Sequence, residues 1–114
     1  MLNNNLSVDQ VEKLMHMKAK VTSLVDYGMT ASGIRFDVGF EGELSGETIT
    51  GKMQGIDYFL MGPDGVGQID VRGVIYTHDG AKIAVSIDGF MAGPEIKDSH
   101  ARFETGDEKY RWLC

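Results

Sequence analysis

The sequence predicts an all-β protein: a small antiparallel barrel of about eight strands with one short N-terminal helix. Three observations carry this. Apolar and polar residues alternate with a period of two, most cleanly in "GIRFDVGFEGE", residues 33–43, and that is the period of a half-buried strand. Short runs rich in Val, Ile, Phe and Tyr are separated by Asp-Gly and related turn signals. Finally, 15 glycines lie within the runs as well as between them, where glycine marks the bulges and bends that let a sheet curl.

A chain of 114 residues holds one domain and buries roughly 60–70% of its unfolded surface, so it needs neither metal nor disulfide to fold. We divide it into an N-terminal extension with a short helix, residues 1–14, and a single β-barrel domain, residues 15–114. The net charge of −6, with no cluster of Lys and Arg, argues against binding nucleic acid. No apolar run approaches the roughly 20 residues of a membrane span. The start, "MLNNNLSVDQVEKL", lacks a basic region followed by an apolar core and is not a secretory signal. The single cysteine, Cys114, is the last residue. It allows no disulfide within the chain, and a frayed terminus seldom holds a nucleophile in place. A reducing compartment is the simplest reading, so the expected location is the cytoplasm.

In chain order, residues 1–5 read as a disordered leader. "LSVDQVEKLMHM" carries the one helix signal: Ser7 caps, Gln10 answers it in a capping box, and Val8, Val11, Leu14 and Met15 fall at helical spacing. "MKAKVTSLVDYG" is a strand of mixed pattern. In the next strand Ile34, Phe36, Val38 and Phe40 point one way, with Arg35, Asp37, Gly39 and Glu41 pointing the other. "ELSGETITGKMQG" is a weaker strand. "IDYFLMG", "VGQIDVRGVIYT" and "AKIAVSIDGFM" follow, then a loop containing Pro94, and "HARFETG" and "KYRWLC" close the chain.

Two turns set the expected register. In "GPDGV", a two-residue loop at Asp64 and Gly65 puts Pro63 opposite Val66, Phe59 opposite Asp70 and Asp57 opposite Arg72, an ion pair across two strands. In "THDGA", a three-residue loop at His78, Asp79 and Gly80 puts Ile75 opposite Ile83 and Val71 opposite Ile87. We prefer it over a two-residue loop because it matches apolar with apolar on both strands. One face then carries Ile69, Val71, Gly73, Ile75, Ile83, Val85 and Ile87, and must be core. The other carries Asp57, Phe59, Asp70, Arg72, Tyr76, Ser86 and Asp88. Aromatic rings mixed with a few convergent polar groups describe a ligand site, so Asp57, Phe59, Asp70, Arg72, Tyr76 and Ser86 are the candidate ligand-binding residues.

The order of these motifs resembles the DUF3237 (UPF0311) family of unknown function. The family's Asp-Tyr or Asp-Trp pair is matched by Asp57-Tyr58, its first Asp-Gly turn by Asp64-Gly65, and its Asp-x-Arg by Asp70 and Arg72. Thr77 with Asp79-Gly80, Phe103-Glu104, and Tyr110 with Trp112-Leu113 match the later motifs. Gly28, Thr30, Gly33 and Arg35 match an early segment. The match spans about residues 27–113. The resemblance implies an antiparallel lipocalin-like (calycin-type) barrel with a small internal pocket, often in an oligomer, and places Asp57, Asp70 and Arg72 in that pocket. It implies no activity. Two departures stand out: family members continue past Trp-Leu with one or two more strands, and Gly73 stands where they usually have Tyr. An open strand edge is the expected consequence of the first, and close approach by backbone or a partner that of the second.

Three function readings follow. The leading one is a cytoplasmic barrel binding a compact, partly apolar small molecule, with a carbonyl or carboxylate for Arg72. The second is an isomerase, cyclase or proton-transfer enzyme in which Asp57 or Asp70 is the base and Arg72 steadies an oxyanion. Against it stands a structural Asp57–Arg72 pair. The third is an oligomerisation module with no ligand. His16, His78 and His100 are far apart and define no metal site. No Gly-x-Ser-x-Gly elbow, phosphate loop or dinucleotide fingerprint occurs, so no cofactor is expected. A homodimer or higher homo-oligomer is, because Tyr110, Trp112 and Leu113 load the last strand and Val8, Val11, Leu14 and Met15 the first helix with apolar surface.

Overall fold

The alternating runs become strands of one antiparallel sheet. The computed structural model describes residues 5–7 and 16–114. These hold β1 (Asn5–Ser7), β2 (His16–Thr30), β3 (Gly33–Ser45), β4 (Gly51–Met61), β5 (Val66–Thr77), β6 (Lys82–Ala92), β7 (Glu95–Glu104) and a closing 3-10 turn, Arg111–Leu113. From β2 to β7 each strand pairs with its neighbour in sequence, and β1 pairs with the far side of β7, giving the order β1-β7-β6-β5-β4-β3-β2. Among the described residues β2 has no strand on its other side, so the sheet is not closed. No described helix is long and apolar enough to cross a membrane.

The sheet nevertheless curls. Leu44 on β3 and Phe103 on β7 belong to one core with Met53, Ile75, Ile83 and Val85. Among the described residues there is no second layer for a flat sheet to bury these residues against, so the sheet curls over its own apolar face without closing. Inward positions alternate with outward ones along each strand, as the buried-exposed pattern of β5 and β6 shows.

The strand count differs from expectation for two local reasons. "ELSGETITGKMQG" is not one strand: its start extends β3, its end opens β4, and the loop between them drops Ile49 fully into the core. "KYRWLC" is not a strand at all. Its buried residues, Tyr110, Leu113 and Cys114, have the spacing of a turn, and Leu113 N–H bonds back to the Tyr110 carbonyl. Cys114 is therefore packed rather than frayed. The helix expected over residues 6–17 falls largely on residues 8–15, outside the described residues. Its flanks, Ser7 and His16, lie in strands, and Asn5 pairs with Arg102 rather than joining a disordered leader.

The β5–β6 hairpin has the expected register, Ile75↔Ile83 and Val71↔Ile87. Its loop is closed by Thr77 N–H to the Ala81 carbonyl, with Gly80 at φ 94°. The β4–β5 hairpin does not have the expected register: Asp57 faces Val71, and Arg72 faces Ile56. The loop is one residue longer than expected. Gly65 N–H bonds to the Gly62 carbonyl and Gly62 N–H to Val66, and only Gly65, at φ 79°, is left-handed. A two-residue hairpin loop would require positive φ at Asp64 as well. Asp64 instead stays in an ordinary turn conformation and accepts Val66 N–H at 3.0 Å. Both Asp-Gly turns are therefore three-residue loops with a left-handed glycine.

Candidate functional site

The concave face has two ends. At one, the loop before β4, the Thr77–Ala81 turn and the C-terminal turn pack together. Asp79 is the hub. It accepts hydrogen bonds from Thr77 Oγ1 at 2.5 Å and Tyr110 Oη at 2.9 Å, and pairs with Lys109 Nζ at 2.6 Å. The Lys109 bond first, then that of Thr77, hold its carboxyl well below the usual range. This latch seats Tyr110 and Leu113 as a plug, each about 1% exposed.

At the other end the inward residues are only half-buried: Phe36 and Val38 on β3, Asp57 and Phe59 on β4, Ile69 on β5, Ile87 and Met91 on β6. The Phe59 ring lies against Gly67. Asp57 stands among these groups. On β3–β6 every second residue points inward, and Asp57 is the one ionisable residue at those positions. Its Oδ1 accepts the backbone N–H of Asp70 at 3.1 Å. The β4–β5 ladder is interrupted at that point, between Asp57↔Val71 and Leu60↔Gln68, so a side chain takes a donor that a strand partner would otherwise use. Desolvation raises the Asp57 pKa, the Asp70 N–H opposes the shift, and the Asp70 charge adds to it.

The residues singled out from the sequence divide between the two faces. Asp57 and Phe59 are concave. Asp70, Arg72, Tyr76 and Ser86 are convex, because the one-residue register difference turns every β5 side chain over relative to β4. Asp70, Arg72 and Ser86 do meet, in an open groove with Asp88, His100 and Arg102. Arg72 approaches the Asp70 carboxylate at 3.8 Å while its side chain stays 74% exposed. Tyr76 lines a separate groove with Lys18, Lys52 and His78. The expected Asp57–Arg72 pair does not exist, and Arg72 is out of reach of anything bound beside Asp57. Among the described residues no group of three or more His, Cys, Asp or Glu is placed to hold a metal.

Phe36, Val38, Ile69, Ile87 and Met91 were not among the candidates. The signal for the first two was present: they alternate with Phe40, which packs on the core. The alternation places Ile69 and Ile87 in the core; they are half-buried because no described segment covers their end. The latch was legible only as the motif set Thr77, Asp79 and Tyr110, with no reason attached.

Comparison with known proteins fits this architecture. The sequence profile of a family described as protein of unknown function (DUF3237) matches residues 10–99. A UPF0311 protein of Bradyrhizobium diazoefficiens is 31% identical, over 83% of this chain and 75% of its own. Among solved structures, a conserved protein of unknown function from Rhodopseudomonas palustris matches with a TM-score of 0.76 at 24% identity, over 99% of this chain and 83% of that one. A protein of unknown function from Clostridium acetobutylicum matches with a TM-score of 0.76 at 23% identity, over 98% and 86%. A β-barrel-like protein from Acinetobacter baumannii matches with a TM-score of 0.67 at 22% identity, over 87% and 81%. These three share the fold.

Proposed function

This chain belongs to the DUF3237 family, and from its geometry we propose that it is a cytoplasmic protein that binds a compact, partly apolar small molecule at the open end of its concave face. One observation carries the reading: at the end that no described segment plugs, a half-buried apolar surface carries Asp57 as the one ionisable side chain among the inward positions of β3–β6. Ligand sites are concave and mostly apolar, with a few placed polar groups. The ligand's polar group meets Asp57 and the interrupted ladder, not Arg72. Protein NMR with a set of small aromatic alcohols, amines and acids tests this. Saturable shifts at the amides of Asp57, Phe59, Asp70 and Met91 support it. Shifts confined to the convex groove around Arg72, or none, overturn it.

A second reading, proton transfer by Asp57, draws support from its raised pKa, since a base works best when its pKa approaches the working pH. Turnover of a bound carbon acid, lost in Asp57→Asn, separates an enzyme from a binder.

The proposal includes assembly through β2. Met17, Val21, Leu24, Val25, Tyr27 and Met29 are six of the chain's exposed large apolar residues, and all lie on this one edge strand. Edges of this kind are covered in native proteins, and two-fold pairing lets a strand cover its own copy. Sedimentation at micromolar concentration showing a dimer or larger species supports the contact, and a clean 12.5 kDa monomer overturns it.

A further inference from the structure

We propose that the group Asp57 receives is a cation, so that the ligand is a compact apolar body carrying one ammonium. The inference rests on the binding reading above and adds the ligand's charge. The argument starts from what surrounds the carboxylate. The inward positions of β3–β6 supply no Lys, Arg or His. Among the described residues the neighbouring strands add no cation beside it. Asp26 on β2, opposite Phe36, is a further carboxylate and is held by Gly28 N–H at 2.8 Å. Lys97 and His100 on β7 pair with Glu95 and Asp88. The charge that acts on Asp57 is that of Asp70, and it is repulsive. Among the described residues, Asp57 accepts one hydrogen bond, from the Asp70 N–H.

An ionised carboxylate on an apolar face is costly unless a donor or opposite charge meets it. An ammonium supplies both, and its hydrocarbon body covers Phe36, Phe59 and Ile87. A carboxylate ligand would instead set two like charges together with no cation among the described inward residues to separate them. A neutral hydroxyl would satisfy one lone pair and leave the charge. The net charge of −6 favours the same sign of ligand during encounter. This reverses the ligand chemistry expected from the sequence, where Arg72 was to meet an acid.

The test compares three probes of one shape: benzylamine, benzyl alcohol and benzoate. They are titrated near neutral pH against the full chain by NMR. Benzylamine is expected to shift the Asp57, Phe59 and Asp70 amides saturably. Benzoate is expected to bind at least about tenfold more weakly, the size of one charge-assisted hydrogen bond. Asp57→Asn keeps an acceptor for Asp70 N–H and therefore the local fold, checked by its melting curve. It should lose benzylamine affinity by a similar factor, and by a larger factor than it loses affinity for benzyl alcohol. Acidification toward about pH 4 should weaken benzylamine in the unsubstituted protein, because the proton competes for the same carboxylate, and should not do so in Asp57→Asn. Benzoate binding as tightly as benzylamine overturns the charge assignment and leaves the binding reading standing. Equal benzylamine affinity in Asp57→Asn also overturns it, by pointing to surface carboxylates. Failure of all three probes at millimolar concentration overturns both readings.

Discussion

Where β5 turns into β6, at Thr77–Ala81, the concave face is filled by Ile49, Tyr110 and Leu113. At the opposite end of the same strands, near Pro63 and Gly93, it is left half-exposed around Asp57. The strands and the alternation are common to both ends, so neither accounts for the difference. It comes from what the connections deliver. The loop before β4 inserts Ile49, and the tail after β7 returns Tyr110 to Asp79. The described turns at the other end are tight and insert nothing. One end is packed core, and the other keeps its apolar face half-exposed among the described residues. In this single sheet the candidate site and the core share one face, and the described loops decide which part is filled.

The largest expected effect lies at the plugged end. Phe103 is about 1% exposed, and Phe103→Ala should cost about 3–5 kcal/mol by urea unfolding, from lost burial plus a cavity. Phe59→Ala at the open end should cost about 1–2 kcal/mol, because only part of the ring leaves water on folding. Equal costs would break the comparison and mean that the open end is packed.

The two turns should behave alike although they sit at opposite ends. Gly65 and Gly80 have positive φ and open space where a Cβ would go, so the cost of a side chain is conformational alone. Gly65→Val and Gly80→Val should each cost about 1–3 kcal/mol in thermal or urea unfolding. A harmless Gly65→Val would mean that residue 65 is not left-handed and would break the three-residue loop of the β4–β5 hairpin.

Acidification separates the ends by sign. The Asp79 pKa is lowered in the folded protein, so its contribution is present above the unfolded value, about 4, and is lost as pH falls through the folded one. The Asp57 pKa is raised, so its contribution is present below the unfolded value and is lost as pH rises through the folded one. Asp57→Asn should therefore be more stable than the unsubstituted protein near neutral pH, with the difference disappearing below about pH 4. Asp79→Asn should be less stable near neutral pH and should lose less on acidification. Melting curves from pH 3 to 7 decide both.

Much of this was readable in the residues, and the part that was not has a local cause. Alternation in residues 33–43 and 82–91 gave strands and their buried faces. Apolar matching gave the β5–β6 register, because Ile75, Ile83, Val71 and Ile87 leave one satisfactory alignment. The β4–β5 alignment differs because Asp64-Gly65 reads as a two-residue loop, and the Asp57–Arg72 pair that follows from that loop cannot check it. An exposed ion pair is worth too little to set register. Pro63 with Asp64 and Gly65 favours the three-residue turn on backbone grounds, and that chemistry decided it. The plug was hidden for another reason: Tyr110 is held by Asp79, 31 residues away in sequence, and no periodicity reports a contact of that kind.

The smallest effect belongs to the reverse side of the open end, where Arg72 sits. Had Arg72 been buried against Asp57, removing it would have stranded a carboxylate and cost about 3–5 kcal/mol. In the structure its side chain is 74% exposed, and its contact with Asp70 is 3.8 Å long. Water screens such a pair, and the entropy of fixing two side chains offsets most of what remains. Arg72→Ala should therefore change stability by less than about 1 kcal/mol and should leave benzylamine affinity at Asp57 unchanged. The paired measurement matters more than either alone. A stable variant with lost affinity would mean that the ligand grips the convex groove, and the open end of the concave face would then be merely unfilled core.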